Sequence, residues 1–339
     1  MHKFFAIVRK LIILAAAAFL LLSCTAGNRY MRIDGYAQGG KYSIKLNLKD
    51  VTVPPEEIKD SVESILTHID TTLSGYNKGS MLSRFNAGQA VVPNKLFRDV
   101  YEYGYRLWEQ SEGALDFAAG PLYDAWGFGF KSGDFPSDKD IVRIKESCGT
   151  GKLPATLPSG IVNPETLGNP RLNYNAVAQG LSCDIVAEYL YRIGVRDMLV
   201  DIGEIWCDGL NPSGQPWSVG IDRPDGTDTY EGVWSSEGRP QGIVTSGNYR
   251  KFYVKDGRKF AHTIDPVSGY PVEHNLLSAT VVSSSSAAEA DAMATWCMVV
   301  GLEKAKEIIL KNSRLEACLT YEEDGMRQWF SPGFILRKQ

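Results

Sequence analysis

The stretch that most constrains this chain is Ala287–Val300, which reads AAEADAMATWCMVV and is apolar on nearly every side of a helix. A helix of that kind belongs inside a fold. It carries Asp291, and a carboxylate in apolar surroundings needs a partner. Asp291 and Thr295 lie four residues apart, so they share one helix face. Two hard oxygen ligands one turn apart could hold Mg²⁺, with phosphate oxygens and water completing the octahedron. Spacing alone favours a plainer reading, in which Asp291 caps a helix and Thr295 bonds back to a carbonyl.

Other elements alternate irregularly around this helix. Pro54-Pro55-Glu56-Glu57 opens a helix whose apolar positions Ile58, Val62, Ile65, Leu66 and Ile69 recur at helical spacing. A second amphipathic helix covers 94–110, a short one 138–146, and further helices 176–193 and 302–311. Residues 111–136, rich in glycine and aromatics, read as a shaped loop. Residues 148–170, with four prolines, read as an irregular connection. Strands are expected over 35–48 (interrupted at Gly39-Gly40), 197–202, 217–222, 242–245 and 278–284. Hairpins are expected at 250–262, turning at Asp256-Gly257, and near Asp324-Gly325. Mixed helices and strands without regular β-α-β alternation indicate an α+β fold, with mixed or antiparallel sheets and packed helices.

The N-terminus has the form of an export signal. Lys3, Arg9 and Lys10 precede an apolar run over 11–22, too short to span a bilayer comfortably. Leu21-Leu22-Ser23-Cys24 has the form of a bacterial lipobox, with cleavage before Cys24 and acylation of its sulfur; the plainer alternative is an ordinary secretory signal that happens to hold a cysteine. The expected layout is a signal peptide over 1–23, a tether over 24–34 and one domain over 35–339. The lipid would make the protein membrane-anchored, facing the periplasm from the inner or outer membrane. A net charge of −4 offers no basic excess for phosphates, which argues against a nucleic-acid partner.

Cys148, Cys183, Cys207, Cys297 and Cys318 are widely spaced and form no C-x-x-C pair, so most should be buried small hydrophobes; one disulfide is left open. The chain contains no G-x-G-x-x-G after a strand, no G-x-x-x-x-G-K-[ST], no H-E-x-x-H and no G-x-S-x-G. His262, where an expected strand meets a proline–glycine turn, could serve as a general base. Alone, such a histidine is more often structural, and Asp265-Pro266 is more often a turn than a site.

Seven ordered segments together resemble one family. Tyr76 with Met81-Leu82-Ser83-Arg84-Phe85-Asn86 resembles its S-x-[IL]-S-R-F-N segment. Residues 113–122 with Trp126-Gly127-Phe128-Gly129 resemble its G-A-F-D-x-T-x-G-P-L…W-G-F-G block. Residues 173–180 stand where it has D-L-x-A-x-A-K-G, and Val200-Asp201-Ile202-Gly203-Glu204 parallels its D-x-G-G-[ED] strand. Ser246-Gly247-Asn248-Tyr249-Arg250 resembles S-G-D-Y-x-R, and residues 262–271 resemble H-[IL]-[IL]-D-P-x-T-G-x-P. Asp291 and Thr295 fall on A-D-A-x-x-T. The chain is thereby similar to the FAD:protein FMN transferase (ApbE) family.

That resemblance implies a Mg²⁺ site formed by Asp291, Thr295 and the Ala176 carbonyl, set against the pyrophosphate of FAD. It implies an FAD pocket lined by Gln38, Tyr76, Asp116, Phe117, Ala118, Ala119, Asn173, Gln179 and His262. His262 would be the catalytic residue, helping to deprotonate a threonine or serine hydroxyl of an acceptor flavoprotein. Asn173 and Gln179 depart from the family's aspartate and lysine or glutamate, keeping hydrogen-bonding capacity without charge. Gln38 stands in place of a flavin-contacting methionine, and Ile202 replaces a glycine. Two other activities fit the same residues: an FAD pyrophosphatase, and a non-catalytic FAD-binding lipoprotein.

Overall fold

A computed structural model describes residues 29–130, 135–227, 229–248, 252–255 and 258–337. In chain order the helices are α1 (Pro55–Leu73), α2 (Met81–Asn86), α3 (Lys95–Gln110), α4 (Gly120–Ala125), α5 (Asp138–Ser147), α6 (Ala178–Arg192), α7 (Ala287–Val300) and α8 (Leu302–Lys311). The strands are β1 (Tyr30–Ala37), β2 (Gly40–Asn47), β3 (Met198–Asp201), β4 (Ile205–Asp208), β5 (Ser218–Asp222), β6 (Tyr230–Ser235), β7 (Gln241–Gly247), β8 (Phe252–Lys255), β9 (Arg258–Ala261), β10 (Ile264–Asp265), β11 (Tyr270–Pro271), β12 (Leu276–Ser283), β13 (Leu315–Glu322), β14 (Met326–Phe330) and β15 (Leu336–Arg337).

An eight-stranded antiparallel sheet in the order β1-β2-β3-β4-β7-β12-β13-β14 forms the frame. A smaller antiparallel sheet, β15-β6-β5, and the hairpins β8-β9 and β10-β11 complete the strands. The expected α+β class holds. α7 packs on the middle of the large sheet, against β7 and β12, and α6 lies beside it. Ten residues of α7 are buried, which accounts for its apolar circumference. Among the described residues no helix is long and apolar enough to cross a membrane.

Local chemistry explains several element ends. Pro54 caps α1 with Pro55 in its first turn, and the Asn94 side chain accepts from the Phe97 N–H at the start of α3. The Ser137 hydroxyl and Asp140 carboxylate form a capping box on α5. Gln38 and Gly39, both at positive φ, make the tight turn between β1 and β2, so the expected interruption is a hairpin tip. Asp324 and Gly325, also at positive φ, turn the chain between β13 and β14.

Several expectations are corrected. β1 begins at Tyr30, so residues 30–34 belong to the sheet and not to a tether. The loop over 111–136 contains α4, and the 148–170 connection holds two short 3₁₀ turns, Thr150–Lys152 and Pro164–Leu167. β4 and β6 lie outside the expected strands: β4 has adjacent buried positions, and β6 alternates in burial while its sequence, with Gly232 buried and Val233 half-buried, does not alternate in hydrophobicity. Cys183, Cys207, Cys297 and Cys318 are buried free thiols, as expected of small hydrophobes, and Cys148 is half-buried and free. The signal peptide, Cys24, Tyr249, Arg250 and the Asp256-Gly257 turn lie outside the described residues.

Candidate active site

The N-terminal ends of α6 and α7 meet at close quarters. A Cβ on Gly180 would overlap the carbonyl oxygen of Ala287, so only glycine permits this approach. Asp184 of α6 accepts from the Ala287 and Ala288 N–H groups at 2.7 and 2.9 Å, holding the start of α7. In return Asp291 of α7 accepts from the Gly180 N–H at 3.1 Å, one turn into α6. The two helices therefore fix each other through carboxylates at their positive ends.

This crossing forms part of the wall of a cleft of about 1390 Å³. Gln38, Tyr76, Asp116, Phe117, Asn173, Ala176, Gln179, His262, Asp291 and Thr295 all line it, although they come from widely separated parts of the chain. Ala118 and Ala119 are the exceptions among the expected residues. Both are buried, in apolar clusters behind the cleft wall, and neither lines it.

The plainer reading of Asp291 and Thr295 holds only in part: Asp291 caps a helix, but that helix is α6, through the Gly180 N–H of its first turn, and not its own. Asp291 lies in the second turn of α7, and the cap is Ser286, whose hydroxyl accepts from the Glu289 N–H at 3.0 Å. Thr295 makes no bond back to a carbonyl among the described residues, and only one Asp291 oxygen accepts a hydrogen bond. Burial, reinforced by Asp184, pushes the Asp291 carboxyl up to about 7. Glu204 lies beside it in the cleft, and burial, reinforced by the Asp291 charge, raises its carboxyl well above the ordinary value. Glu204 stands in the sequence as the last residue of the Val200–Glu204 segment, and that match is its only signal there.

The charge of the lining is one-sided. Asp70, Asp116, Glu204, Asp222 and Asp291 line the cleft, and among the described residues no lysine or arginine does. No three His, Cys, Asp or Glu side chains converge as a metal cluster among the described residues. A cation here would have to rest on Asp291, the Thr295 hydroxyl and backbone oxygen, completed by its ligand and water. That donor set is hard and oxygen-only, which suits Mg²⁺.

The remaining residues shape the walls. The Asp116 carboxylate accepts from the Ala118 N–H and from the Thr150 N–H and hydroxyl, at 2.7–2.9 Å, so it holds two loops together. Asn173 Oδ1 accepts from the Asn175 N–H at 2.9 Å, a turn bond for which a neutral amide suffices. Gln179 Nε2 donates to the Ile202 carbonyl at 3.3 Å and packs over Gly203. Gln38 donates to the Ser182 hydroxyl, tying the β1–β2 tip to α6. Tyr76 is 68% exposed at the mouth, edge-on to Phe130.

His262 lies between β9 and β10, 6.3 Å ring-to-ring from Phe128. The Trp126 indole, next to Phe128 in the aromatic loop, donates to the Gly269 carbonyl at 2.9 Å and stacks on Phe260. Asp265 accepts from the Val267 and Ser268 N–H groups, so Asp265-Pro266 is a turn that closes the His262 segment.

A sequence model of the ApbE family matches residues 39–319. The chain belongs to the ApbE family. The FAD:protein FMN transferase of Escherichia coli (strain K12) is 34% identical over 286 residues, 82% of this chain and 81% of the relative. That of Salmonella typhimurium is 30% identical over 334 residues, 94% of each chain. Among solved structures, the flavin transferase ApbE from Vibrio cholerae superposes with a TM-score of 0.78 at 28% identity, covering 91% of this chain and all of the other. That coverage and TM-score show that the ApbE-like architecture expected from seven segments is the one present.

Proposed function

We propose that this protein is an FAD:protein FMN transferase that moves FMN from FAD onto a threonine or serine hydroxyl of an acceptor flavoprotein. The observation that carries the reading is the acidic cleft, lined among the described residues by no lysine or arginine, into which Asp291 and Thr295 project unpaired oxygens. Such a cleft repels a pyrophosphate unless a cation accompanies it. Asp291, the Thr295 hydroxyl and the Ala176 carbonyl would hold Mg²⁺. Bound there, the ion would supply positive charge against the pyrophosphate and the departing AMP.

The chain's own groups account for the rest. The amino end of α6 faces the cleft with its positive dipole end, a favourable setting for phosphate oxygens. Tyr76 offers an aromatic face at the mouth for the flavin ring. His262 accepts the proton of the acceptor hydroxyl as its oxygen bonds to the FMN phosphorus. The bond from that phosphorus to the bridging oxygen breaks, and the oxygen leaves with AMP. Asn173 and Gln179 make turn and backbone bonds that need no charge, so their departure from the family pattern leaves the pocket's framework supported. We place the enzyme outside the cytoplasm, anchored by a lipid on Cys24, on the strength of the signal-like sequence over 1–24.

The reading is tested with purified protein, FAD, Mg²⁺ and an exported flavoprotein domain carrying the acceptor threonine. A fluorescent acceptor band on a denaturing gel, lost when that threonine is replaced by alanine, supports transfer. FAD that stays intact through several acceptors would make the protein a flavin carrier instead.

A further inference from the structure

β5 is the outer strand of the small sheet, and its Val219, Gly220 and Asp222 line the cleft. The Ser236 N–H donates to the Trp217 carbonyl at 2.9 Å, and the register runs on through Val219↔Trp234 and Gly220↔Val233. Hydrogen-bonded and non-hydrogen-bonded pairs alternate in an antiparallel ladder. Trp217, Val219 and Ile221 therefore bond inward to β6, whereas Ser218 and Gly220 turn their N–H and C=O groups to the outer edge. Both residues are exposed, and among the described residues neither has a hydrogen-bond partner on that edge.

Proteins usually blunt such an edge with lysine, proline or a covering segment. Ser218-Val219-Gly220-Ile221 carries neither lysine nor proline. Gly220 also makes room for an aromatic ring, since a Cβ there would lie 2.7 Å from Tyr230 Cε1. Tyr230 is 59% exposed, so its ring forms a flat apolar step over the strand at the lip of the cleft.

We propose that the outer edge of β5 is the docking strand for the acceptor polypeptide. An extended segment bearing the acceptor hydroxyl pairs with the open groups of Ser218 and Gly220, and one of its side chains rests on Tyr230. The proposal rests on the transferase reading, which requires a polypeptide to reach the cleft from outside. Main-chain pairing would supply affinity and alternate side chains the selectivity. Because β5 itself continues along the cleft wall, a segment paired to it is led towards the site occupied by Asp291 and His262.

The decisive variant is Ser218→Pro, which removes an N–H that the β5–β6 ladder does not use and places proline where an edge strand tolerates it. The acceptor KM should rise about tenfold, the order expected for a lost backbone hydrogen bond with added ring bulk. FAD affinity and slow AMP release into water should stay unchanged. Amide hydrogen exchange on the parent protein provides a second readout: the Ser218 and Gly220 amides should slow when the threonine-bearing flavoprotein domain is added. A parent-like acceptor KM in Ser218→Pro, or exchange at both amides unaltered by the acceptor, overturns the proposal. Failure of the parent protein to label any acceptor counts against the transferase reading instead, and the exchange measurement still decides the docking edge.

Discussion

Replacing Asp291 by asparagine separates two consequences of burying a carboxylate. Burial raises its pKa from 3.8 to about 7 in the folded protein. A folded-state pKa raised in this way means that the fold binds the proton longer than the unfolded chain does. The protein is therefore not penalised below pH 3.8, loses stability as pH rises through the window up to about 7, and loses no more above it. At about 1.4 kcal/mol per pH unit, the full cost is about 4 kcal/mol, and the part accrued between about pH 5 and pH 8 is about 2–3 kcal/mol. The substituted amide cannot ionise, yet its oxygen can still accept from the Gly180 N–H. Any cost of seating the amide group is constant with pH, so the pH-dependent part is diagnostic.

The assay is thermal unfolding of parent and Asp291→Asn across that range, with and without Mg²⁺ and ADP. Without ligand, the variant should gain on the parent by about 5 °C between pH 5 and pH 8, taking about 2 °C per kcal/mol for a protein of this size. With Mg²⁺ and ADP the order should reverse, because on the proposed metal site only the parent would hold the cation. A variant less stable by the same margin at every pH would refute the burial argument. A variant that Mg²⁺ still stabilises would refute the metal assignment.

His262→Ala should slow flavin transfer by about 10²-fold or more while changing FAD affinity only a few-fold, as stopped-flow and equilibrium binding would show. Gly180→Ala should destabilise the protein by about 1–3 kcal/mol in denaturant unfolding, because the added methyl pushes α6 off the Ala287 carbonyl. Trp126→Phe, which leaves the Gly269 carbonyl without its indole donor, should cost about 1–3 kcal/mol and raise the KM for FAD through the loosened aromatic loop. His274 gives a pH effect of opposite sign to Asp291: burial holds its pKa below 6.5, with Nε2 against the Met298 carbonyl and Nδ1 accepting from Leu276 N–H. Its contribution is present above pH 6.5 and is lost as pH falls below it, so His274→Gln should flatten the acid limb of the stability curve.

The parts of this molecule that are legible in the sequence are those governed by local rules. The periodicity of Ile58, Val62, Leu66 and Ile69 marks α1, and all four are buried. The apolar circumference of α7 marks a central helix, and its acid and hydroxyl do face one cleft. What spacing cannot give is the partner of that pair: Ser286 takes the cap of α7, and Asp291 reaches across to the first turn of α6, while Thr295 makes no bond back. β4 escapes because its burial follows from neighbouring strands, and β6 because Gly232 fills a buried position and Val233 a half-buried one, so its burial alternates where its hydrophobicity does not. The acidity of the cleft is invisible for a related reason, since Asp70, Glu204 and Asp222 come together only through tertiary packing. Ala118 and Ala119 fall on a matching segment, but the turn held by Asp116 points them into the core.

The proposed reaction carries FMN from FAD to a protein hydroxyl within this cleft. The most direct measurement quantifies AMP and covalently attached flavin in the same reaction, with FAD, Mg²⁺ and a threonine-bearing acceptor domain. Equal amounts of the two products are expected, both abolished by Asp291→Asn. AMP and free FMN released in full while the acceptor remains unlabelled would contradict the proposed reaction.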